Sequence, residues 1–265
     1  MKLIFSTLIC PEYTPEELKG LCDKWGLSGV EIRTGGDNKF DTLPELAVTD
    51  IASSLCLFGY NEEQLSGAKK LLLRMESDNV GAVRVFLGNF KRRYSDNERE
   101  IDYAGIVRML QAMCDFAKGE IWVETHNEFA TGKVLRKLME DVSRPNCKII
   151  WDVMHPFEDG ELPRETFEYI KDYVAHVHIK DGRKRRDPEW HDFEYTPLGE
   201  GEVPIKEIIN LMRAYGYKGG YSLEWENMWR DELKELNWSV DDILEKFVSY
   251  MGEIERSASD EQSNA

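Results

Sequence analysis

Short β-branched apolar runs alternate with amphipathic helical patterns along nearly the whole chain. The strand-like runs number eight, and they cover Leu3–Ile9, Gly29–Arg33, Ile51–Phe58, Ala82–Leu87, Ile121–His126, Lys148–Met154, Ala175–Asp181 and Gly219–Glu226. Strands that alternate with helices indicate βαβ units and a parallel sheet. Eight such units within about 250 residues predict an α/β fold, a single (β/α)8 TIM barrel. A doubly wound open sheet is the alternative.

The helical segments between these runs carry their own start signals. Thr14 to Glu17 forms a capping box with Pro15 at the first helical position, Pro204 begins a helix with one apolar face, and Ser239 caps the last helix. The segment 35–50 is too short and irregular to predict a helix. We expect one barrel over residues 1–256 and a disordered, polar tail over 257–265.

The charge of the chain narrows the range of partners. It carries 34 Lys and Arg against 50 Asp and Glu, a formal net charge of −16. Such an acidic chain lacks the electrostatic footprint for nucleic acid or for anionic lipid, so small-molecule partners are favoured. Five scattered cysteines indicate reduced thiols and a cytoplasmic protein. The first apolar run reads as a strand rather than a signal peptide, and no run approaches the roughly 20 residues that span a bilayer.

Alternate positions of the later strands carry polar side chains where Val, Ile or Leu would be expected. Parallel barrel strands are covered on both faces, so this is a departure from the usual pattern. Successive side chains point to opposite faces, and we therefore expect the polar set to face the barrel interior. The set consists of Glu124, His126, Asp152, His176, His178, Lys180, Ser222, Glu224 and Glu226.

Four of these residues lie toward the carboxyl ends of different strands, where TIM-barrel active sites are assembled. They are Glu124, Asp152, His178 and Glu224. Burying three carboxylates together is unfavourable unless a cation or hydrogen bonds compensate, so the set predicts one divalent metal ion. Mn²⁺, Mg²⁺ or Co²⁺ suit these ligands best, and Zn²⁺ is an alternative. Any one of these carboxylates, taken alone, is more simply explained as a salt-bridge partner than as a metal ligand. Glu226 is an alternative ligand to Glu224.

Five motifs at or near the ends of the later strand-like runs are distinctive. They are VETH (Val123–His126), WDVMHP (Trp151–Pro156), HVHIKD (His176–Asp181), PLGEGEV (Pro197–Val203) and SLEWE (Ser222–Glu226). These motifs resemble those of the xylose isomerase-like TIM-barrel superfamily of sugar phosphate isomerases and epimerases, which includes ketose 3-epimerases, inosose dehydratases and endonuclease IV. The similarity is weaker over the first four strands, where Gly29–Arg33 matches best.

The resemblance implies roles for individual residues. Glu124, Asp152, His178 and Glu224 occupy the four metal positions of the family, and the two glutamates form the acid/base pair that exchanges a proton with substrate carbon. His155 matches a histidine that contacts a substrate oxygen. The metal, as a Lewis acid, would stabilise the enediolate left by proton removal. The implied activity is that of a metal-dependent isomerase or epimerase in carbohydrate metabolism, acting on a ketose or a related polyol.

Departures from particular relatives argue against two activities. The third and fourth strand-like runs contain no histidine for the trinuclear zinc site of endonuclease IV. Together with the negative charge, this argues against DNA repair. True xylose isomerases use a second metal with extra carboxylates around the seventh strand, where Asp181 is present without a convincing full set. Proton transfer is therefore favoured over hydride shift.

Further residues are candidates for substrate contact. The alternation along the strands places Lys180, Glu226 and His126 on the interior face of the barrel. A salt bridge to Glu224 or Glu226 would also explain a lysine at position 180. Arg183 opens a basic run, Arg183–Arg186, that either recognises a substrate phosphate or carboxylate or is a solvated charge run. Trp190, in the same loop, is expected to form a hydrophobic wall over the ligand.

Two other functions remain open from the sequence. One is a metal-dependent dehydratase of the inosose or dehydroshikimate type, and the other is a non-catalytic sugar-binding barrel. We expect a small sugar or polyol partner, either neutral or anionic, with no nucleic acid and no membrane. The sequence does not determine the oligomeric state, and a homo-oligomer stays open because relatives commonly associate through their barrel helices. Loops set specificity, and the sequence does not identify the substrate.

Overall fold

The computed structural model describes residues 1–34, 45–89, 99–186 and 193–263, with side chains described to residue 258. The strands are β1 (Lys2–Ser6), β2 (Gly29–Arg33), β3 (Val48–Leu57), β4 (Ala82–Leu87), β5 (Glu120–Glu124), β6 (Cys147–Asp152), β7 (Val174–Ile179), β8 (Asp181–Lys184), β9 (Phe193–Thr196) and β10 (Gly220–Leu223). Eight of them form a closed parallel barrel in the order β1-β10-β7-β6-β5-β4-β3-β2. The predicted single (β/α)8 barrel is confirmed.

Helices surround the barrel and connect its strands. They are α1 (Pro15–Trp25), α2 (Glu62–Ser77), α3 (Tyr103–Phe116), α4 (Gly132–Val142), α5 (Met154–Glu158), α6 (Pro163–Ile170), α7 (Ile205–Tyr215), α8 (Asp231–Lys234) and α9 (Val240–Ser263). The capping box at Thr14 is present, and Ser239 Oγ accepts from the backbone of Asp242. Pro204 directly precedes α7, whose apolar face is buried. Local start signals therefore mark these three helices correctly.

The two faces of the barrel strands have different roles. Val123, Ile149 and Val177 belong to the large apolar core of the protein. Inside the barrel, a smaller apolar cluster of Ala82, Trp122 and Ile150 is buried separately. The Trp122 ring stacks on His176 at 5.2 Å between centroids. The interior therefore has an apolar layer, and the ionisable residues lie on the same face of the strands.

A hairpin of β8 and β9 follows the seventh barrel strand and is organised by one carboxylate. Asp181 accepts hydrogen bonds from the backbone amides of Gly182, Gly199, Gly201 and Val203, at 2.8, 2.9, 3.1 and 3.2 Å. Asp181, the carboxylate that the sequence analysis considered for a second metal, is thus used to fix the chain at this end of the barrel. The PLGEGEV segment supplies three of its four donors.

Several element ends differ from the sequence prediction. The first run stops as a strand at Ser6 and continues as a 3-10 turn over Thr7–Ile9. The sixth strand ends at Asp152, and Met154 begins the short helix α5. The helix α9 continues to Ser263, into the segment 257–265 for which the sequence predicts disorder. This segment contains neither glycine nor proline, and its Ala, Glu and Gln residues are compatible with a helix. No helix within the described residues is long and apolar enough to cross a membrane.

Candidate metal centre and active site

Four ionisable side chains converge at the carboxyl ends of neighbouring barrel strands. Glu124 and Asp152 are the last residues of β5 and β6, His178 is the penultimate residue of β7, and Glu224 directly follows β10. Each offers one ligand atom within 4.8 Å of the others, and all four side chains are buried. The structure therefore brings together the four residues that the sequence proposed as metal ligands.

The imidazole of His178 is oriented by a carboxylate from the other side of the barrel. Its Nε2 donates to Glu31 Oε2 at 2.5 Å. Its Nδ1 faces Glu224 Oε2 at 3.5 Å and Glu124 Oε2 at 3.9 Å. Metal-binding histidines commonly donate their second ring nitrogen to a carboxylate in this way. Burial lowers the pKa of His178, but the charges of Glu31 and Glu224 outweigh burial and raise it well above its usual range.

The donor set fits a divalent cation. Among the described residues, Asp152 Oδ2, His178 Nδ1 and Glu224 Oε2 are buried without an aligned hydrogen bond. Buried polar atoms without hydrogen bonds are costly, and one cation shared by these three atoms would satisfy them. Carboxylate oxygens with one imidazole nitrogen suit Mn²⁺, Mg²⁺ or Co²⁺, with Zn²⁺ as the alternative.

Lys180 is the nearest positive charge to this group. Its Nζ lies 2.7 Å from Asp152 Oδ2, 2.6 Å from Glu224 Oε2 and 2.5 Å from Glu226 Oε1. The contacts with Asp152 and Glu224 are ion pairs that lack the alignment of hydrogen bonds. Asp152 Oδ2 and Glu224 Oε2 are therefore close to a positive charge but accept no hydrogen bond. Burial lowers the pKa of Lys180, but these carboxylates raise it well above its usual range. Glu226 pairs with Lys180 and lies outside the four-residue group.

Arg84 balances the two glutamates of the group. Its Nη1 donates to Glu124 Oε2 at 2.8 Å and lies 3.6 Å from Glu224 Oε1. Burial raises the pKa of Glu124 in spite of Arg84. Burial also acts on Glu224, but Lys180 and His178 hold the pKa of Glu224 well below its usual range. The two glutamates thus occupy different electrostatic environments.

Two histidines line the same cavity beside the carboxylates. His155 Nε2 lies 3.5 Å from Asp152 Oδ2, and its Nδ1 lies 3.1 Å from Glu158 Oε2. The His126 ring lies 4.2 Å from the His155 ring, centroid to centroid. With Glu124, these histidines form a second set of atoms close enough to hold a cation. The sequence candidates His126, His155 and Glu226 all line the cavity.

The cavity has a volume of about 580 Å³. Several of its lining residues were not singled out by the sequence as site residues, because they come from elements distant in sequence that only the fold brings together. They are Ser54, Phe86, Asn127, Glu158, Tyr195 and Arg230. Asn127 has a left-handed backbone conformation, with a φ of 56°, which is uncommon for a residue other than glycine. This feature marks the position as unusual, but it is visible only in the structure.

One substrate candidate, Arg183, lies outside this cavity. Arg183 lies on β8, pairs with Glu194 of β9 and is 56% exposed. With Lys184, Arg185 and Arg186 it lines a separate surface cleft, because the β8–β9 hairpin carries the basic run away from the barrel interior. The location of Arg183 therefore supports the interpretation as a solvated charge run. Trp190 falls outside the described residues.

Sequence comparison identifies the family. Residues 10–243 match the family model of the xylose isomerase-like TIM barrel. The chain belongs to this family. A 3-dehydroshikimate dehydratase from Bacillus anthracis is 27% identical over 182 residues, 62% of each sequence. A fructoselysine 3-epimerase from Shigella flexneri is 27% identical over 115 residues, 43% of this chain and 38% of the epimerase.

Structural comparison gives the same fold. The IOLI protein, solved with a bound zinc atom, superposes with a TM-score of 0.73 and 17% identity, covering 96% of this chain and 98% of IOLI. The match to the dehydratase spans about 62% of its length. Characterised relatives of this chain are enzymes, and they include both dehydratases and epimerases.

Proposed function

We propose that this protein is a metal-dependent sugar isomerase or epimerase, which removes a proton from a carbon next to a carbonyl in a ketose or related polyol. One observation carries the proposal: Glu124, Asp152, His178 and Glu224 present four buried ligand atoms to one point at the mouth of the barrel. A chain that only bound a neutral sugar would not need three carboxylates there, because burying them without a cation is unfavourable.

The four residues would hold the cation, and the cation would supply Lewis-acid polarisation of the substrate carbonyl. Mn²⁺, Mg²⁺ or Co²⁺ fit the donors best, while the zinc atom in IOLI keeps Zn²⁺ as an alternative. Glu31 would fix the His178 ring so that Nδ1 faces the carboxylates. Lys180 and Arg84 would limit the negative charge that the carboxylates accumulate.

The proton would move through the glutamates. Glu124 and Glu224 come from opposite ends of the row β5-β6-β7-β10, so they approach the cavity from different sides. One would take the proton from substrate carbon, and the other would return a proton to the opposite face. His155, at the cavity wall, would donate a hydrogen bond to a substrate oxygen.

A dehydratase is the second candidate, because the same carboxylates could begin either reaction. The carboxylate that takes the carbon-bound proton could return it to the departing hydroxyl group, which then leaves as water. The similarity to the 3-dehydroshikimate dehydratase supports the same alternative.

Metal analysis and solvent exchange test the proposal. We expect about one equivalent of Mn²⁺, Mg²⁺, Co²⁺ or Zn²⁺ in the purified protein, and its loss in Asp152→Asn. On a panel of keto-sugars and keto-polyols in D2O, deuterium should enter recovered substrate or its epimer. A new ultraviolet-absorbing enone would identify the dehydratase instead.

Two variants test the roles of the glutamates. Glu124→Gln and Glu224→Gln should each slow deuterium exchange at least about 100-fold, the contribution typical of a general acid or base. Glu253→Gln, on the exposed surface of α9, is the matched control and should leave exchange unchanged. Full exchange in both active-site variants would contradict the proposed roles, and protein without bound metal would favour the non-catalytic barrel.

A further inference from the structure

Arg33 occupies the last position of β2 and lines the cavity that contains the candidate metal centre. Ser54 and Trp229 line the cavity as well. Trp229 is 52% exposed, and its ring centre lies 6.0 Å from the guanidinium carbon of Arg33. Arg33 therefore stands between the buried carboxylates and solvent, with an aromatic ring over it.

Hydrogen bonds from one nitrogen, Nη1, fix the guanidinium of Arg33. Nη1 donates to the carbonyl oxygens of Thr34 and Ala52, at 2.8 and 3.1 Å. Ser54 Oγ is a third acceptor at 2.7 Å, so the two N–H groups of Nη1 share three acceptors. Three acceptors on one nitrogen fix the plane of the group, so its remaining N–H groups are preorganised. No described residue accepts a hydrogen bond from Nε or Nη2.

The other cations around the cavity are already neutralised. Arg84 pairs with Glu124, and Lys180 contacts three carboxylates. Arg230 lies 3.6 Å from Glu226. By contrast, no carboxylate among the described residues forms an ion pair with Arg33. Burial, followed by repulsion from Arg84, lowers the pKa of Arg33 to about 10, although the charges of Glu224, Glu124 and Glu31 act in the opposite direction.

We propose that Arg33 forms an anion subsite that binds a carboxylate or phosphate group of the substrate at the mouth of the cavity. An arginine fork with two free N–H directions matches the geometry of such an oxyanion. Ser54 acts as a positioning residue, because its hydroxyl accepts from Arg33 and donates to Thr34 O at 3.3 Å. The inference rests on the proposed function and specifies its substrate as an anionic sugar or polyol.

Paired ligands that differ only in charge test this subsite. Dissociation constants would be measured by calorimetry for shikimate against methyl shikimate and for fructose 6-phosphate against fructose. The purified full chain should bind at least one anion about tenfold more tightly than its neutral analogue, a difference of about 1.4 kcal/mol. The shikimate pair reports a carboxylate, whereas the fructose pair reports a phosphate.

Variants assign the preference to Arg33. Arg33→Gln should reduce the preference to less than about twofold, while Arg33→Lys, which keeps the charge and loses the fork, should retain part of it. Arg136→Gln, on the outer surface of α4, is the matched control and should behave as wild type. Circular dichroism would confirm that each variant is folded.

The outcomes separate this inference from the proposed function. The subsite is overturned if wild-type protein binds the two members of each pair equally, or binds neither detectably. It is also overturned if folded Arg33→Gln keeps the preference unchanged. Repeating the titrations after chelation tests the subsite without the metal, and the preference should persist. Failure of deuterium exchange with an intact anion preference would refute the proposed function alone.

Discussion

Arg84 allows two glutamates to share the interior of the barrel. The side chain is almost fully buried, contacts Glu124 and Glu224, and lies over the Phe86 ring at 4.2 Å. Its Nη2 donates to the backbone oxygen of Ser53 at 3.1 Å. The residue therefore couples charge balance in the site to the packing of strands β3 and β4.

Replacing Arg84 should unfold the protein more readily. We expect Arg84→Met to lower the free energy of unfolding by about 3–5 kcal/mol, because it leaves buried carboxylates without their partner. Urea denaturation followed by circular dichroism measures the change. Arg136→Met, on an exposed ion pair, should stay within about 1 kcal/mol of wild type. Similar losses in the two variants would contradict the interpretation.

Glu31 should affect metal binding without contacting the cation. In Glu31→Gln, a neutral amide replaces the carboxylate that accepts from His178 Nε2, so the ring is less firmly oriented. We expect metal affinity to fall about 10–100-fold, as is usual for such supporting carboxylates. Competition with a fluorescent chelator gives the affinity. Glu62→Gln, at the exposed start of α2, serves as control, and equal affinities in both variants would exclude this role for Glu31.

At the scale of elements, the hairpin of β8 and β9 depends on the Asp181 carboxylate. Four backbone amides converge on that side chain, and Gly201 lies directly against it. A Cβ at Gly201 would lie 2.1 Å from Asp181 Oδ1 and 2.5 Å from Gly182 N. The glycine is therefore required by close approach rather than by its backbone angles.

A pair of glycine variants tests this constraint. Gly201→Ala should lower the free energy of unfolding by about 1–3 kcal/mol, because the added methyl group displaces the carboxylate or the backbone. Gly20→Ala, in helix α1 with open space around it, should instead be neutral or stabilise by up to about 1 kcal/mol. Thermal and urea denaturation provide both values. A Gly201→Ala protein as stable as wild type would show that the turn relaxes freely.

For the whole molecule, the proposed cation connects four strands of the barrel and should stabilise the fold. At a free metal concentration 100 times the dissociation constant, the gain is about 2.7 kcal/mol. For a chain of this length this corresponds to a rise in Tm of roughly 5–10 °C. Chelation should remove the gain from wild type and from Glu253→Gln. Asp152→Asn should not respond to chelator, and an equal response in that variant would place the cation elsewhere.

The sequence by itself determined the architecture and the identity of the four converging residues. Strand and helix periods, the Thr14 capping box and the polar parity of the later strands are local properties, and local backbone geometry converts them directly into elements and faces. The carboxyl ends of the strands of a closed barrel meet at one mouth. The alternation of side chains and their positions along the strands were therefore enough to predict that Glu124, Asp152, His178 and Glu224 converge.

Only the tertiary structure decided which charges neutralise one another. Glu31 and His178 are 147 positions apart, and the Arg33 guanidinium is fixed by acceptors from a neighbouring strand. From the sequence, the Arg183 run was either an anion site or a solvated charge run, and only the hairpin showed that it lines a separate cleft. Pairing energies depend on distance and on exclusion of water, and both are set by how the barrel closes rather than by residue type or spacing.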